Sequence, residues 1–214
     1  MAEQEVERLI KSRERVRGYG EVFTPAWLVR KMCDVVGDAC RDPEARFLEP
    51  ACGDGNFLVE ILRRKLETVR VRYRKRARYE AMAFVAMASL YGIELLEDNV
   101  ARCRERLLEE WHRAYPFRKP GPHHEALLAA LQAVLSRNIL TGDTLKRQHL
   151  NGAPLVFPEW TLTGDTLTVR TYALDALYAA RKGDDLFTRI LVPLSEATFS
   201  PYWDCAQPEG VLPQ

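Results

Sequence analysis

Three carboxylates in this chain stand where carboxylates are chemically useful. Glu49 closes the apolar run Phe47-Leu48, Glu94 closes Tyr91-Gly92-Ile93, and Asp143 follows Asn138-Ile139-Leu140-Thr141-Gly142. An acid at the tip of a buried strand accepts hydrogen bonds from hydroxyl or amino donors, and at Glu94 the two oxygens suit the vicinal diol of a ribose. Asp143 is suited to accept from the amino group of an adenine. Just after Glu49, Gly53 and Gly55 flank Asp54 and remove the Cβ atoms that would hold a ligand off the backbone. The apolar-periodic series Phe57-Leu58-Ile61-Leu62 then restarts as a helix, so strand, glycine turn and helix predict a small-molecule site at the carboxyl edge of an α/β sheet. A nicotinamide dinucleotide is disfavoured, because Leu58 stands where that fingerprint requires a third glycine.

The elements that must position these groups follow from periodicity. Glu3 to Val16 reads as a charged helical arm, broken at Gly18 to Gly20, and Glu21 to Pro25 is extended. Thr24 or Pro25 starts a helix over Ala26 to Val36, with Thr24 a good N-cap. Helical patterning runs from Phe57 through Val69 and again over Tyr79 to Leu90, and a strand covers Tyr91 to Leu95. An amphipathic helix passes through Leu108 and Trp111, a proline-rich loop spans Tyr115 to Pro122, and a helix over Glu125 to Ser136 leads into a third strand at Asn138 to Leu145. The alternation predicts an α/β fold with a doubly wound, mostly parallel sheet. Beyond it, Trp160 to Thr163 and Leu167 to Arg170 alternate around Gly164-Asp165 as a β-hairpin. Asp175 to Arg181 reads as a short helix and Phe187 to Leu194 as a strand. The organisation expected is an arm over 1–19, a ligand-binding domain over 20–150 and an extension over 151–214.

Composition narrows the class. A chain of 214 residues, 47% hydrophobic and 29% charged, is long enough to bury one sizeable core. The formal net charge of +1 leaves room for a basic face inside a balanced total. Arg63, Arg64, Lys65, Arg70, Arg72, Arg74, Lys75, Arg76 and Arg78 form such a run, with phosphate contact weighed against a solvated helix face. Cys33, Cys40, Cys52, Cys103 and Cys205 are odd in number and contain no Cys-x-x-Cys pair, which argues against a disulfide framework or a zinc site and for reduced thiols in a cytoplasm. The adjacent His123-His124 have no second ligand pair, so no metal is expected. Met1 to Arg17 has no secretory apolar core, and Ala81 to Leu90 is too short to cross a bilayer, so a cytoplasmic protein without a membrane partner is expected.

Glu49 to Phe57, EPACGDGNF, resembles motif I of the amino-group DNA methyltransferases, above all the adenine-N6 enzymes of restriction-modification systems. Gly20 to Met32, GEVFTPAWLVRKM, resembles their motif X. Glu94-Leu95 followed by Asp98-Asn99-Val100 resembles motif II, and Gly142-Asp143-Thr144 motif III. The resemblance covers about Gly20 to Leu145. It implies a class I, Rossmann-like methyltransferase fold and S-adenosylmethionine as cofactor. The residues carried over for that cofactor are Phe23, Thr24, Pro25, Glu49, Ala51, Cys52, Gly53, Gly55 and Phe57, then Glu94, Leu95, Asp143 and Thr144. The implied activity is adenine-N6 methylation of DNA in a restriction-modification or phage setting, with DNA as partner. Asp175 to Gln214 reads as too short for a full target-recognition domain, so the resemblance implies that specificity comes from a partner specificity or restriction subunit or does not exist.

The family's catalytic loop is Asn- or Asp-Pro-Pro-Tyr/Phe, whose oxygens accept the hydrogens of the target amino group while an aromatic ring stacks on the flipped base. Here Ala153 to Trp160 occupies that slot, and Phe157 offers no acceptor oxygen. Pro158, Glu159 and Trp160 are the catalytic candidates that remain, although a hairpin would turn Trp160 into a packing residue. Ser200-Pro201-Tyr202-Trp203 faintly resembles the loop at a distance. The competing expectation is a cofactor-binding pseudoenzyme that acts as a regulatory or anti-restriction subunit.

Overall fold

The structure is a computed structural model and describes residues 9–181 and 192–206. Its centre is a three-stranded parallel sheet of β1 (Phe47–Glu49), β2 (Leu90–Glu94) and β3 (Ile139–Thr141), with β2 in the middle. Parallel strands need long crossovers, and helices provide them: α3 (Asn56–Arg72) and α4 (Arg76–Ala88) join β1 to β2, and α5 (Glu97–Ala114) and α6 (His124–Asn138) join β2 to β3. The chain is therefore a mixed α/β protein.

Side-chain alternation along β2 shows how the sheet is covered. Leu90 and Gly92 face α3 and α5, where Leu58, Ile61, Leu62, Val100, Cys103 and Leu107 are buried. Tyr91 and Ile93 point the other way and share a cluster with Leu140, Leu155, Phe157 and Leu174. Helices α3 and α5 thus cover one face of the three-stranded sheet. The opposite face is closed by the chain entering and leaving a β-hairpin. That hairpin belongs to a second, antiparallel sheet of β4 (Val156–Thr163), β5 (Thr166–Ala173) and β6 (Ser195–Phe199). Its tight turn is possible because Gly164 takes φ 63°.

Among the described residues the N-terminal helix begins only at Arg13, after non-helical residues 9–12. Helix α1 covers Arg13–Tyr19, started by Ser12, whose hydroxyl accepts from the Arg15 N–H at 3.2 Å. The expected start at Glu3 lies outside the described residues. Gly18 stays within the helix and Gly20, at φ 67°, ends it. Helix α2 (Ala26–Val36) has the expected span, but Pro25 and not Thr24 occupies the cap position. Of the expected strand Phe187 to Leu194, residues 187–191 lie outside the described set; pairing with β5 begins at Leu194, whose N–H donates to Thr171 O at 2.8 Å, and β6 starts at Ser195. Ser200 to Trp203 leads into a short 3-10 helix, Tyr202–Ala206, in which Tyr202 is buried against Phe84 and Trp203 stacks on His123. That segment packs the core and is no catalytic loop.

The five cysteines are all free and buried. Among the described residues no group of three or more His, Cys, Asp or Glu is placed to hold a metal ion, and no helix is long and apolar enough to cross a membrane.

Candidate functional site

The three carboxylates singled out by type lie along one rim. Glu49 and Glu94 are the last residues of β1 and β2, and Asp143 comes two residues after the end of β3. Parallel strands all end on the same side, so the carboxyl edge brings together groups far apart in the chain.

Hydrogen bonds fasten the rim loops to one another. The Gly53 N–H donates to Glu94 Oε2 at 3.0 Å and the Leu96 N–H to Glu94 Oε1 at 3.0 Å. Gly142 N–H donates to Glu94 O at 2.9 Å, and the Thr144 hydroxyl donates to Pro50 O at 2.5 Å. The loop after β1 folds back over β2 through Cys52 N–H to Ile93 O at 3.0 Å. Gly92 makes that fold-back possible: a Cβ there would meet Cys52 Sγ at 2.9 Å and Leu58 at 3.1 Å.

The two motif glycines have different jobs. Gly53, at φ 53°, would meet only the Phe23 ring if it carried a Cβ, at 3.3 Å, so its backbone is open toward the rim. Gly55, at φ 95°, would drive a Cβ into Cys103 Sγ at 2.6 Å. Its missing side chain serves the close approach of α3 to α5 and not of a ligand, which corrects the reading from sequence. Cys52 sits beside Cys103, and their hydrogen bond together with burial pushes the Cys52 thiol far above its ordinary range. Arg106 on α5 pairs with Asp54 at 2.8 Å and holds the turn from below.

Phe23, Thr24 and Pro25 reach the same loop. Asn56 Nδ2 donates to Thr24 O at 3.0 Å, and the Phe23 ring borders Gly53. The arm before them is clamped to the start of α5. Arg15 forms a two-pronged pair with Glu21 at 2.6 and 2.7 Å and, with Lys11, binds Asp98. These bonds hold the Asp98 carboxyl well below its usual range. The buried Asn99 donates to Glu21 Oε1 at 2.6 Å and accepts from Lys11 at 2.5 Å. Asn56, Gly92, Asn99 and Arg106 were not singled out from sequence. A glycine inside a strand pattern was the available signal for Gly92, whereas the long-range partners of the two asparagines leave no local trace.

Glu49 and Asp143 differ in availability. Burial raises the Glu49 carboxyl above the usual range, with a partial offset from the Ala51 N–H. Asp143 is spent on its own turn. Oδ1 accepts from the Leu145 and Lys146 N–H groups at 2.9 and 3.1 Å, and Oδ2 pairs with the Lys146 ammonium at 3.1 Å. Beside Glu49, an apolar cavity of about 390 Å³ opens between α2, β1 and α3, lined by Met32, Val36, Leu48 and Phe57 among others. It meets the rim at Glu49 but does not include Gly53, Glu94 or Asp143.

Pro158, Glu159 and Trp160 do not join the rim. They lie in β4, opposite Thr171, Arg170 and Val169. Pro158 O accepts from the Tyr91 hydroxyl at 2.9 Å, Glu159 pairs with Arg46 at 2.7 Å, and Trp160 Nε1 donates to Asn138 Oδ1 at 2.9 Å. Arg46 precedes β1 and Asn138 precedes β3, so Glu159 and Trp160 sit at the amino edge of the parallel strands, opposite the carboxylates. Trp160 also packs edge-on against Phe84. All three residues are thus engaged in contacts within the fold, away from the carboxyl rim.

Part of the basic run is likewise committed to structure. Arg63 pairs with Glu60 and Glu67 at 2.8 and 2.7 Å, and Arg64, 6% exposed, with Glu60 and Asp34 at 2.7 and 2.8 Å. Lys65 is wholly buried, donating to Ser89 Oγ at 2.6 Å and to Ala45 O. Arg64 and Lys65 are thereby buried away from any polyanion, and Arg63 is held between two carboxylates. Comparison with protein families, with curated proteins and with solved structures found no match to this chain.

Proposed function

We propose that the chain holds S-adenosylmethionine along the carboxyl rim, as the cofactor-binding module of a Rossmann-like, adenine-N6 type DNA methyltransferase. The observation that carries the reading is the Gly53 to Glu94 hydrogen bond, which couples the glycine turn after one strand to the acid at the tip of the next. Each Glu94 oxygen accepts one backbone N–H and keeps a second lone pair for a ribose hydroxyl. Gly53 leaves open backbone next to the Phe23 ring, and Glu49 is a desolvated carboxylate suited to a cationic group such as a sulfonium or ammonium. When bound, the cofactor supplies an electrophilic methyl group.

Methyl transfer to an amino nitrogen also needs oxygens that accept its hydrogens and orient its lone pair. Glu159 and Trp160, tied to Arg46 and Asn138, do not supply them at the rim. The module therefore works as a cofactor-holding subunit, and the acceptor loop comes from a partner chain. This favours the regulatory or partner-dependent reading over a stand-alone enzyme. Calorimetry with S-adenosylmethionine tests the pocket, with saturable one-to-one binding expected. Transfer of a tritiated methyl group to unmethylated duplex DNA separates the two readings: incorporation by the purified chain alone would make it an enzyme in its own right.

A further inference from the structure

Seven exposed cations gather at one place remote from the rim. Arg70 and Arg72 end α3, Arg74 and Lys75 form the turn, and Arg78 lies in the first turns of α4; all are exposed. The loop after α5 brings Arg118 and Lys119, also exposed, to the same end, because Phe117 lies under the Arg76 guanidinium at 4.8 Å and Gly121 packs against Arg76. Among the described residues, none of these seven cations forms an ion pair, in contrast to Arg63, Arg64, Arg102 and Arg106, which do. Helix α3 has 17 residues and starts at the glycine turn. The basic end is therefore about 25 Å from the rim.

We infer that this face binds the phosphate backbone of duplex DNA. Unpaired arginines in a row match repeated phosphates, whose oxygens take up the guanidinium fork. A protein partner fits less well, since an interface needs an apolar centre and the face offers Val71 as its one large exposed apolar side chain. A single strand fits less well too. Base stacking needs free rings, but Tyr73 is half-buried against the core and Phe117 is covered by Arg76. The distance from the rim means that this contact tethers the protein to DNA and does not deliver a base to a methyl group. The inference stands whether or not the rim binds S-adenosylmethionine.

The test is fluorescence anisotropy of a labelled DNA duplex against the full chain, titrated between about 50 and 200 mM salt. Binding is expected to weaken steeply with salt, with a log–log slope of about −4 to −6 if five to seven phosphates are neutralised. Arg72→Gln/Arg74→Gln/Lys75→Gln should weaken binding at least tenfold and lower the slope by about one per cation removed. Arg118→Gln/Lys119→Gln, on a separate loop, should act in the same direction and guards against misfolding of the first variant. Arg102→Gln, whose guanidinium is engaged by Glu105 and Glu109, should leave binding unchanged. Unaltered affinity in both patch variants would overturn the proposal, as would equal binding to polyglutamate of matched charge. S-adenosylmethionine calorimetry on the same variants should match the parent chain, so a failed tether and a failed cofactor pocket give different results.

Discussion

The backbone N–H of Gly53 donates to Glu94 Oε2 at 3.0 Å, bridging 41 positions of sequence, while Leu96 holds the other oxygen of the same carboxylate at 3.0 Å. Glu94 is thereby fixed before any ligand arrives. A ligand that uses its remaining lone pairs loses little to side-chain ordering, which is the physical basis of a preorganised site.

Glu94→Gln keeps the shape but replaces one acceptor oxygen with an N–H₂ group that faces a backbone donor. S-adenosylmethionine affinity should fall by about tenfold or more, and stability by roughly 1 kcal/mol from the part-buried mismatch. Calorimetry and urea unfolding read the two separately. Full affinity in the variant would remove Glu94 from the pocket.

Gly55→Ala tests the assignment of that glycine to packing. The new Cβ meets Cys103 Sγ at 2.6 Å on a backbone at φ 95°, so steric and conformational costs add, and a loss of about 2–4 kcal/mol is expected. Cys103→Ala in the same chain should recover the steric part and leave the conformational part. Gly152→Ala, at φ 88° with open space around it, isolates the conformational cost alone at about 1 kcal/mol. If Gly55→Ala costs no more than Gly152→Ala, the helix approach is looser than described.

Why some of this was legible in sequence and some was not follows from the range of the forces. Helix α2 and the hairpin were readable because apolar periodicity and a glycine turn are local signals, and Glu49 and Glu94 announced themselves by ending apolar runs. The role of Gly55 was not readable, since Cys103 on α5 decides it from far along the chain. Asp143 carries a second, local signal: a Gly-Asp step is an ordinary turn signal, and the carboxylate caps its own loop. Trp160 reads equally as a stacking ring or a core residue, because its bond to Asn138 across the fold leaves no local signal.

Two substitutions in β4 check the roles of Trp160 and Glu159. Trp160→Phe strands the buried Asn138 Oδ1, whose amide nitrogen is already used on Ala88 O and Leu90 O, and should cost about 1–3 kcal/mol in urea unfolding. Glu159→Ala removes a part-exposed pair with Arg46 and a long hydrogen bond from the Tyr172 hydroxyl, and should cost about 1 kcal/mol or less. Both should leave S-adenosylmethionine binding as it is. A loss of affinity in either, with the fold intact, would return these residues to the site.

Lys65 makes stability depend on pH in a direction that can be worked out. Burial is the largest cause of its lowered pKa, about 7 against 10.5 for the free side chain, with partial offset from Asp42. Below about pH 7 the folded and unfolded chains both carry the proton, and the folded chain bears the full cost of a buried ammonium. Between about pH 7 and 10.5 the unfolded chain binds more protons than the folded one, so this residue's contribution to stability rises with pH and levels off above. The rise amounts to a few kcal/mol. Lys65→Met keeps the volume and removes the charge at the expense of the bonds to Ala45 O and Ser89 Oγ. Subtracting its unfolding free energy from that of the parent chain, across pH 6 to 10, cancels titrations common to both proteins. The parent should gain on the variant as pH rises; a flat difference would mean that water reaches the Lys65 ammonium.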